Sequence, residues 1–169
     1  MKALGADLLS VAVDLQGAEK ARPYVEAANP DFNVVLDQKN VLGSVFGYRA
    51  IPNGIFIDED GVLRFRKFSG FDVRNPEMAA EVMSFAAGSG SVELEASDVQ
   101  THGDYFERGL SLYELGDIEG AKAVWRTGIE VEPDHWNMRK QLWAIEHPER
   151  FYNGDVDYGW QKEQVEQGR

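Results

Sequence analysis

The side chains that could carry out chemistry are few, and their spacing does not form a recognisable active site. The three histidines, His102, His135 and His147, do not share the spacing of metal ligands, so a structural or solvated role is expected. Glu59 and Asp60 are adjacent in a tight turn, which indicates turn formation rather than paired acid–base catalysis. The sequence contains no cysteine, which excludes disulfides, thiolate metal sites and a thiol nucleophile in this chain. We therefore predict no catalytic residue, metal ligand or cofactor.

Charge and hydropathy exclude further classes of function. The formal net charge is -12 and the composition is that of an ordinary globular protein, with 43% hydrophobic and 27% charged residues. Such an acidic surface repels phosphate backbones, so we do not expect nucleic acid as a partner. The apolar runs are too short to cross a bilayer, and no leader of signal-peptide type is expected. Arg64, Arg66 and Lys67 form a local basic patch, for which a solvated strand face is favoured over an anion or partner contact.

One stretch organises the N-terminal half. Pro52 directly precedes a run of β-branched and aromatic residues, as a proline at the start of a strand would. The Ile51–Pro52 bond is a plausible site for a cis peptide. The run at 55–58, the acidic glycine turn at 59–61 and the run at 62–68 predict a β-hairpin.

The elements around this hairpin alternate between strand and helix patterns. Pro23 is expected in the first turn of its helix, which we therefore start near Lys20. Asp37 is a candidate N-cap and Gly47 a candidate helix end. Asn75 followed by Pro76 predicts the start of another helix. The predicted elements are a strand at 8–14, a helix ending at 28, a strand at 32–36, a helix at 39–46 and a helix from 76 to about 87.

The C-terminal half has helical periodicity throughout. Helices are predicted at 105–115, 118–131 and from 135 or 136 to 147, and we expect the aromatic first part of the tail to pack back while the last residues fray. The glycine- and serine-rich stretch before these helices, which begins at residue 88, is typical of a linker. The predicted organisation is thus a domain at 1–87, a linker at 88–103 and a helical region at 104–169.

Five short motifs of the N-terminal half recur together in one known family. They are Val11–Asp14, Phe46–Tyr48, Ile51–Gly54, Ile57–Asp58 and Asp60–Gly61. In their order and spacing this half resembles thioredoxin-fold proteins of the redoxin type, which include alkyl hydroperoxide reductase/thiol-specific antioxidant proteins and cytochrome-maturation oxidoreductases. The resemblance implies a thiol–disulfide oxidoreductase or antioxidant peroxidase, with Pro52 as the cis-proline facing the redox site and Ile51 as its backbone-pairing neighbour.

This chain departs from that family in lacking its central strand and the following helix that bears Trp-Cys-x-x-Cys. Either the chain is a truncated piece of a longer redoxin or it is a derived form without the chemistry; as written, it should be inert in thiol chemistry. A sheet without its middle strand leaves unpaired backbone on both neighbours. The strand at 8–14 is then expected to pair with a non-standard neighbour in its own chain or with another molecule, as in a homodimer.

Large, small and turn residues alternate at a regular spacing in the region 105–133. They are Tyr105, Gly109, Leu112, Gly116, Ala121, Trp125, Gly128 and Pro133. At these positions the region resembles a tetratricopeptide repeat, with a capping helix after it. Small residues let its two helices approach, large ones fill the remaining space, and a core role is favoured over a binding groove.

The predicted fold class is therefore α/β, an N-terminally incomplete thioredoxin-like fold followed by an all-α tetratricopeptide-like hairpin. The alternative to the redoxin function is a non-enzymatic module that binds protein partners through its sheet edge or helical repeat.

Overall fold

The computed structural model describes residues 5–90 and 105–168, which form both helices and strands. The chain divides into two compact units, one made of residues 1–104 together with 134–136, the other of 105–133 together with 137–169. The coarse prediction of a mixed α and β protein is confirmed. Most of the predicted linker, residues 91–103, lies outside the described residues.

Strands and helices alternate in the first unit. Its sequence patterns placed most elements within two residues of their observed bounds. The elements are β1 (Leu9–Ala12), α1 (Ala18–Ala28), β2 (Asn33–Leu36), α2 (Val41–Phe46), β3 (Gly54–Ile57), β4 (Leu63–Lys67) and α3 (Pro76–Ala86).

The strands of this unit form two separate two-stranded sheets within the described part of the chain. β1 and β2 are parallel, with Leu9 opposite Asn33 and Ala12 opposite Leu36, and α1 provides the crossover between them. β3 and β4 form the predicted antiparallel hairpin, with a register irregularity after Phe56. Within the described residues, each of these four strands is therefore paired along one edge only.

The start of α1 differs from the prediction. The helix begins at Ala18, so Pro23 lies inside it rather than in its first turn. Because proline has no N–H, the carbonyl of Glu19 loses the donor that a helix would normally supply four residues later. The helix nevertheless continues to Ala28, and Asn29 closes it in the left-handed conformation with its N–H on the Val25 and Glu26 carbonyls.

The ends of the other helices follow their predicted signals more closely. The Asp37 carboxylate accepts hydrogen bonds from the N–H groups of Val41 and Leu42, both at 2.8 Å, although α2 begins two residues later than predicted. Gly47 ends α2 at φ 75°. The side chain of Asn75 caps α3 by accepting from Glu77 N at 2.9 Å, with Pro76 as the first helical residue.

Few apolar side chains of the first unit are buried. Phe65 on β4 packs against Phe85 on α3, with ring centroids 5.2 Å apart, and Phe71 and Phe56 border this pair. Leu15 is also 2% exposed. In contrast, α1 has no buried residue, and large apolar side chains on β1, β2 and α2 are exposed to solvent.

The second unit is entirely helical in its described residues, and its core is larger. The last residues of its tail were predicted to fray, which stays a prediction; before them a helix extends to Glu166 and buries Gln161 and Gln164. The aromatic part does pack back, with Phe151 buried and Trp160 against Trp143. The helices are α4 (Tyr105–Glu114), α5 (Ile118–Val131), α6 (Trp136–Glu146), α7 (Glu149–Tyr152) and α8 (Tyr158–Glu166).

Candidate functional surfaces

The loop before β3 carries the residues that the redoxin resemblance singled out. The peptide bond between Ile51 and Pro52 is cis, as the sequence pattern suggested, and both side chains are exposed. Asn53 holds this loop, since its Nδ2 donates to the Ala50 carbonyl at 2.7 Å and its Oδ1 accepts from Ser69 N at 2.8 Å. One amide side chain thus joins the loop before β3 to the turn after β4. That Pro52 faces a substrate stays a prediction.

At the start of β3 the backbone of Gly54 lies close to the ring of Phe71. The N–H of Phe71 donates to the Pro52 carbonyl at 3.3 Å, which brings the Phe71 ring over Gly54. A Cβ on Gly54 would lie 2.2 Å from that ring, far inside van der Waals contact. Sequence reasoning missed Asn53 and Phe71, because neither residue type signals such a contact without the fold.

Tyr48 is the one buried phenol among the side chains around this loop that the structure describes. It is 7% exposed, and its ring meets the edge of Phe68 with centroids 5.9 Å apart. Burial, and to a lesser degree the negative charge of Asp37, raises the pKa of the Tyr48 hydroxyl. Tyr48 therefore remains a neutral hydrogen-bonding group at neutral pH.

The hairpin turn uses its charged residues for turn structure. The Asp58 carboxylate accepts from Val62 N at 2.8 Å, Asp60 N at 3.0 Å and Arg64 Nε at 2.6 Å. The bond from Val62, followed by that from Arg64, lowers the pKa of Asp58. Arg66 lies over the ring of Phe68 at 5.5 Å. Arg64 and Arg66 thus contact different partners, the Asp58 carboxylate and the Phe68 ring.

The helical unit packs around Trp125. This side chain is 0% exposed, and its Nε1 donates to the Phe106 carbonyl at 3.1 Å. A Cβ on Gly109 would lie 2.2 Å from the same Nε1. Gly128 is similarly confined, since a Cβ there would lie 2.6 Å from Tyr105 Cβ and from Met138 Sδ. The two glycines allow α4, α5 and α6 to approach one another.

The other repeat positions lie around this contact. Ala121 is 0% exposed, whereas Leu112 is half-buried and Pro133 is exposed. Gly116 adopts φ 83° in the turn between α4 and α5, where residues with a Cβ are strained. The sequence analysis did not single out three further buried apolar residues, although apolar residues at helical spacing would have indicated them. These are Phe106, Leu110 and Ile129.

A metal site, a membrane-spanning helix and a thiol each indicate a different class of function. No cluster of three or more histidine or acidic side chains suited to a metal ion occurs among the described residues. No described helix is both long and apolar enough to cross a membrane. The chain contains no thiol.

Comparisons with known proteins add one partial similarity. A valine–tRNA ligase from Mesoplasma florum is 30% identical to this chain over 107 residues, which make up 63% of this chain and 10% of the ligase. The chain thus spans about a tenth of the length of this relative. No protein-family model and no solved structure matches the chain. The redoxin and tetratricopeptide resemblances therefore stand on the residues alone.

Proposed function

We propose that the first unit is the later part of a redoxin-type thioredoxin-like domain and that this chain, which lacks cysteine, is inert in thiol–disulfide exchange. In such a reaction a thiolate attacks one sulfur of a substrate disulfide, displaces the other as a thiolate, and forms a mixed disulfide that a second thiol resolves. None of these steps has a nucleophile in this chain. Pro52 and Ile51 would border the place where the thiols of a complete domain lie.

The observation that carries this proposal is the division of the sheet. A parallel pair with a helical crossover is followed by an antiparallel hairpin and a helix, in the order β1-α1-β2-α2-β3-β4-α3. The two pairs are not joined by a strand within the described residues. A domain whose central strand is absent has this arrangement, because that strand is the one that pairs with both neighbours.

The test adds the missing element. The chain as it stands should give no dithiothreitol-dependent reduction of insulin disulfides above the buffer rate. A fusion that places a strand and a helix beginning with Trp-Cys-x-x-Cys ahead of Met1 should gain this activity, and the matched fusion with both cysteines replaced by serine should not. Turnover by the unmodified chain would disprove its inertness, and a folded but inactive cysteine fusion would argue against the redoxin proposal.

The second candidate is a non-enzymatic module that binds proteins through a sheet edge or the helical repeat. It is favoured by the exposed apolar side chains of the first unit, among them Leu9 at 56% and Val45 at 65% exposure. The coding DNA immediately upstream of Met1 separates the two candidates. An in-frame Trp-Cys-x-x-Cys segment there favours the redoxin, whereas a start signal with no cysteine-bearing segment before it favours the binding module.

A further inference from the structure

The sequence contains two asparagine–glycine pairs, Asn53–Gly54 and Asn153–Gly154, one in each unit. In such a pair the backbone nitrogen of the glycine can attack Cγ of the asparagine side chain. A C–N bond forms, the bond from Cγ to the side-chain nitrogen breaks, and the glycine N–H proton leaves with that nitrogen as ammonia. Water then opens the resulting succinimide at one of its two carbonyls, which gives aspartate or isoaspartate with no change of oxidation state. Glycine favours ring closure, because it has no Cβ to hinder the attack and its backbone rotates freely.

At Asn53 the folded chain opposes this ring closure. The Asn53 Nδ2 donates to the Ala50 carbonyl at 2.7 Å, and its Oδ1 accepts from Ser69 N at 2.8 Å. Both bonds must break before Cγ can turn toward the nitrogen of Gly54. Gly54 is buried and begins β3, and a Cβ there would lie 2.2 Å from the Phe71 ring. The attacking nitrogen and the side chain that it attacks are therefore both held in place.

The surroundings of Asn153 differ from those of Asn53 in each of these respects. Asn153 and Gly154 are both exposed, in the connection between α7 and α8. Among the described residues, none forms a hydrogen bond with the Asn153 side chain. Gly154 has φ 103°, and a Cβ there would meet no described atom within 4 Å. The Asn153 side chain can therefore reach the nitrogen of Gly154 by rotations within an exposed connection.

The connection that contains Asn153 is closed at its base by Arg150 and Asp157. The Arg150 guanidinium donates to the Asp157 carboxylate at 2.8 Å, and the Asp157 N–H donates to the Arg150 carbonyl at 3.0 Å. Next to this pair, the Phe151 ring on α7 packs against Trp160 on α8, with centroids 6.5 Å apart. Isoaspartate places the side-chain methylene in the main chain. The closed connection then has to absorb an extra backbone atom, or the contacts that hold α8 have to shift.

We propose that Asn153 is a site of spontaneous deamidation in the folded chain, that Asn53 is preserved, and that the isoaspartate formed at position 153 weakens the packing of α8. Water is the only co-reactant, and the reaction needs no enzyme. The proposal does not depend on the redoxin function, because it concerns the helical unit and no thiol.

The first experiment compares the two asparagines within one sample. The full chain is incubated in mildly alkaline buffer, and portions taken at successive times are digested with trypsin under mildly acidic conditions. The tryptic peptides 50–64 and 151–162 each contain one of the two pairs. Mass spectrometry detects the replacement of the amide by an acid, and chromatography separates the aspartyl from the isoaspartyl peptide. A parallel incubation in guanidinium chloride gives both rates without the fold, and Asn153→Gln, which closes only a larger and slower-forming ring, is the control.

The proposal expects the folded chain to deamidate at least about ten-fold faster at Asn153 than at Asn53, the factor expected when two hydrogen bonds must break before the ring closes. In guanidinium chloride the two rates should become similar. Both aspartate and isoaspartate should form, since direct hydrolysis of the amide would give aspartate alone, and Asn153→Gln should leave the peptide 151–162 unchanged. Equal rates in the folded chain, no reaction at Asn153 while the unfolded chain reacts, or a difference that persists in guanidinium chloride would overturn the proposal.

The second experiment tests the effect on α8. Ion exchange separates the deamidated fraction by its added negative charge, and the peptide map gives its content of isoaspartate. Asn153→Asp carries the same charge without the extra backbone atom and is the matched control. In urea denaturation followed by tryptophan fluorescence, the isoaspartyl fraction should unfold at a lower urea concentration than Asn153→Asp, whose midpoint should stay close to that of the unmodified chain. Equal midpoints for the isoaspartyl fraction and Asn153→Asp would overturn the proposed weakening of α8.

Discussion

Substitution of Gly109 by alanine should destabilise the helical unit, although alanine is the better helix former. In an unconstrained helix interior this change stabilises by about 1 kcal/mol. Here the new Cβ would lie 2.2 Å from Trp125 Nε1, and the indole is 0% exposed. Overpacking of this kind costs about 1–3 kcal/mol. A shift of the indole would also weaken its hydrogen bond to the Phe106 carbonyl, worth about 1 kcal/mol.

The sum of these effects predicts a loss of about 1–3 kcal/mol in the free energy of unfolding of the helical unit. Urea denaturation followed by tryptophan fluorescence measures it, since all four tryptophans lie after residue 105 and Trp143 and Trp160 belong to the helical unit. Gly159→Ala on α8 is the matched control. A Cβ at Gly159 meets only Asp157 Oδ1 at 3.5 Å, so this variant should be neutral or slightly more stable.

A double-mutant cycle tests whether the contact with Trp125 causes the loss of stability in Gly109→Ala. Trp125→Phe removes the ring atom that Gly109→Ala would strike, so Gly109→Ala should cost less in that background, with a coupling of at least about 1 kcal/mol. The fluorescence of Trp143 and Trp160 still reports unfolding in the double variant. Gly109→Ala that stabilises the wild-type chain, or a cost that is the same with Trp125 and with phenylalanine, would refute the close approach of α4 and α5 at this point.

Two further predictions concern the first unit. Gly54→Ala places a Cβ 2.2 Å from the Phe71 ring and should lower the stability of this unit by about 1–2 kcal/mol in urea denaturation followed by circular dichroism; an unchanged midpoint would contradict this contact. Hydrogen bonds from Arg74 lower the pKa of Asp72 from 3.8 to about 2, so this pair contributes stability that is fully present above about pH 4 and is lost as the pH falls toward 2. Arg74→Ala should return the carboxyl pKa of Asp72 toward 3.8 in an NMR titration, and a pKa that stays near 2 would contradict the assigned cause.

Local signals in the sequence predicted most of the elements. The Asn75–Pro76 pair marks the start of α3 because both the cap and the proline act within one turn. The aspartate–glycine turn fixed the hairpin for the same reason, since its Asp58 carboxylate binds backbone N–H groups only two and four residues away. Such contacts depend on neighbours in sequence and can be predicted without the fold.

The features that the sequence did not predict depend on partners distant in sequence or on a balance of local costs. No helix was predicted in the polar part of the tail, yet α8 forms there and buries Gln161 and Gln164. The Pro23 prediction assumed that a lost hydrogen bond ends a helix, whereas the remaining bonds of α1 hold it on both sides. The bridge by Asn53 joins residues 16 apart in sequence, and no local pattern indicates it.

Both candidate functions of the first unit involve a strand that pairs with an open sheet edge, and they differ in whether that strand brings thiols. The buried apolar side chains of this unit are Leu15, Tyr48, Phe65 and Phe85, and the helical unit buries more than twice as many, although fewer of its residues are described. A small core with an open strand edge gains stability from any strand that pairs there, whether that strand brings thiols or not. The cysteine fusion separates the two. A fusion that reduces insulin indicates that β1 pairs with a strand of its own domain, whereas a folded fusion without activity favours an edge that serves protein binding.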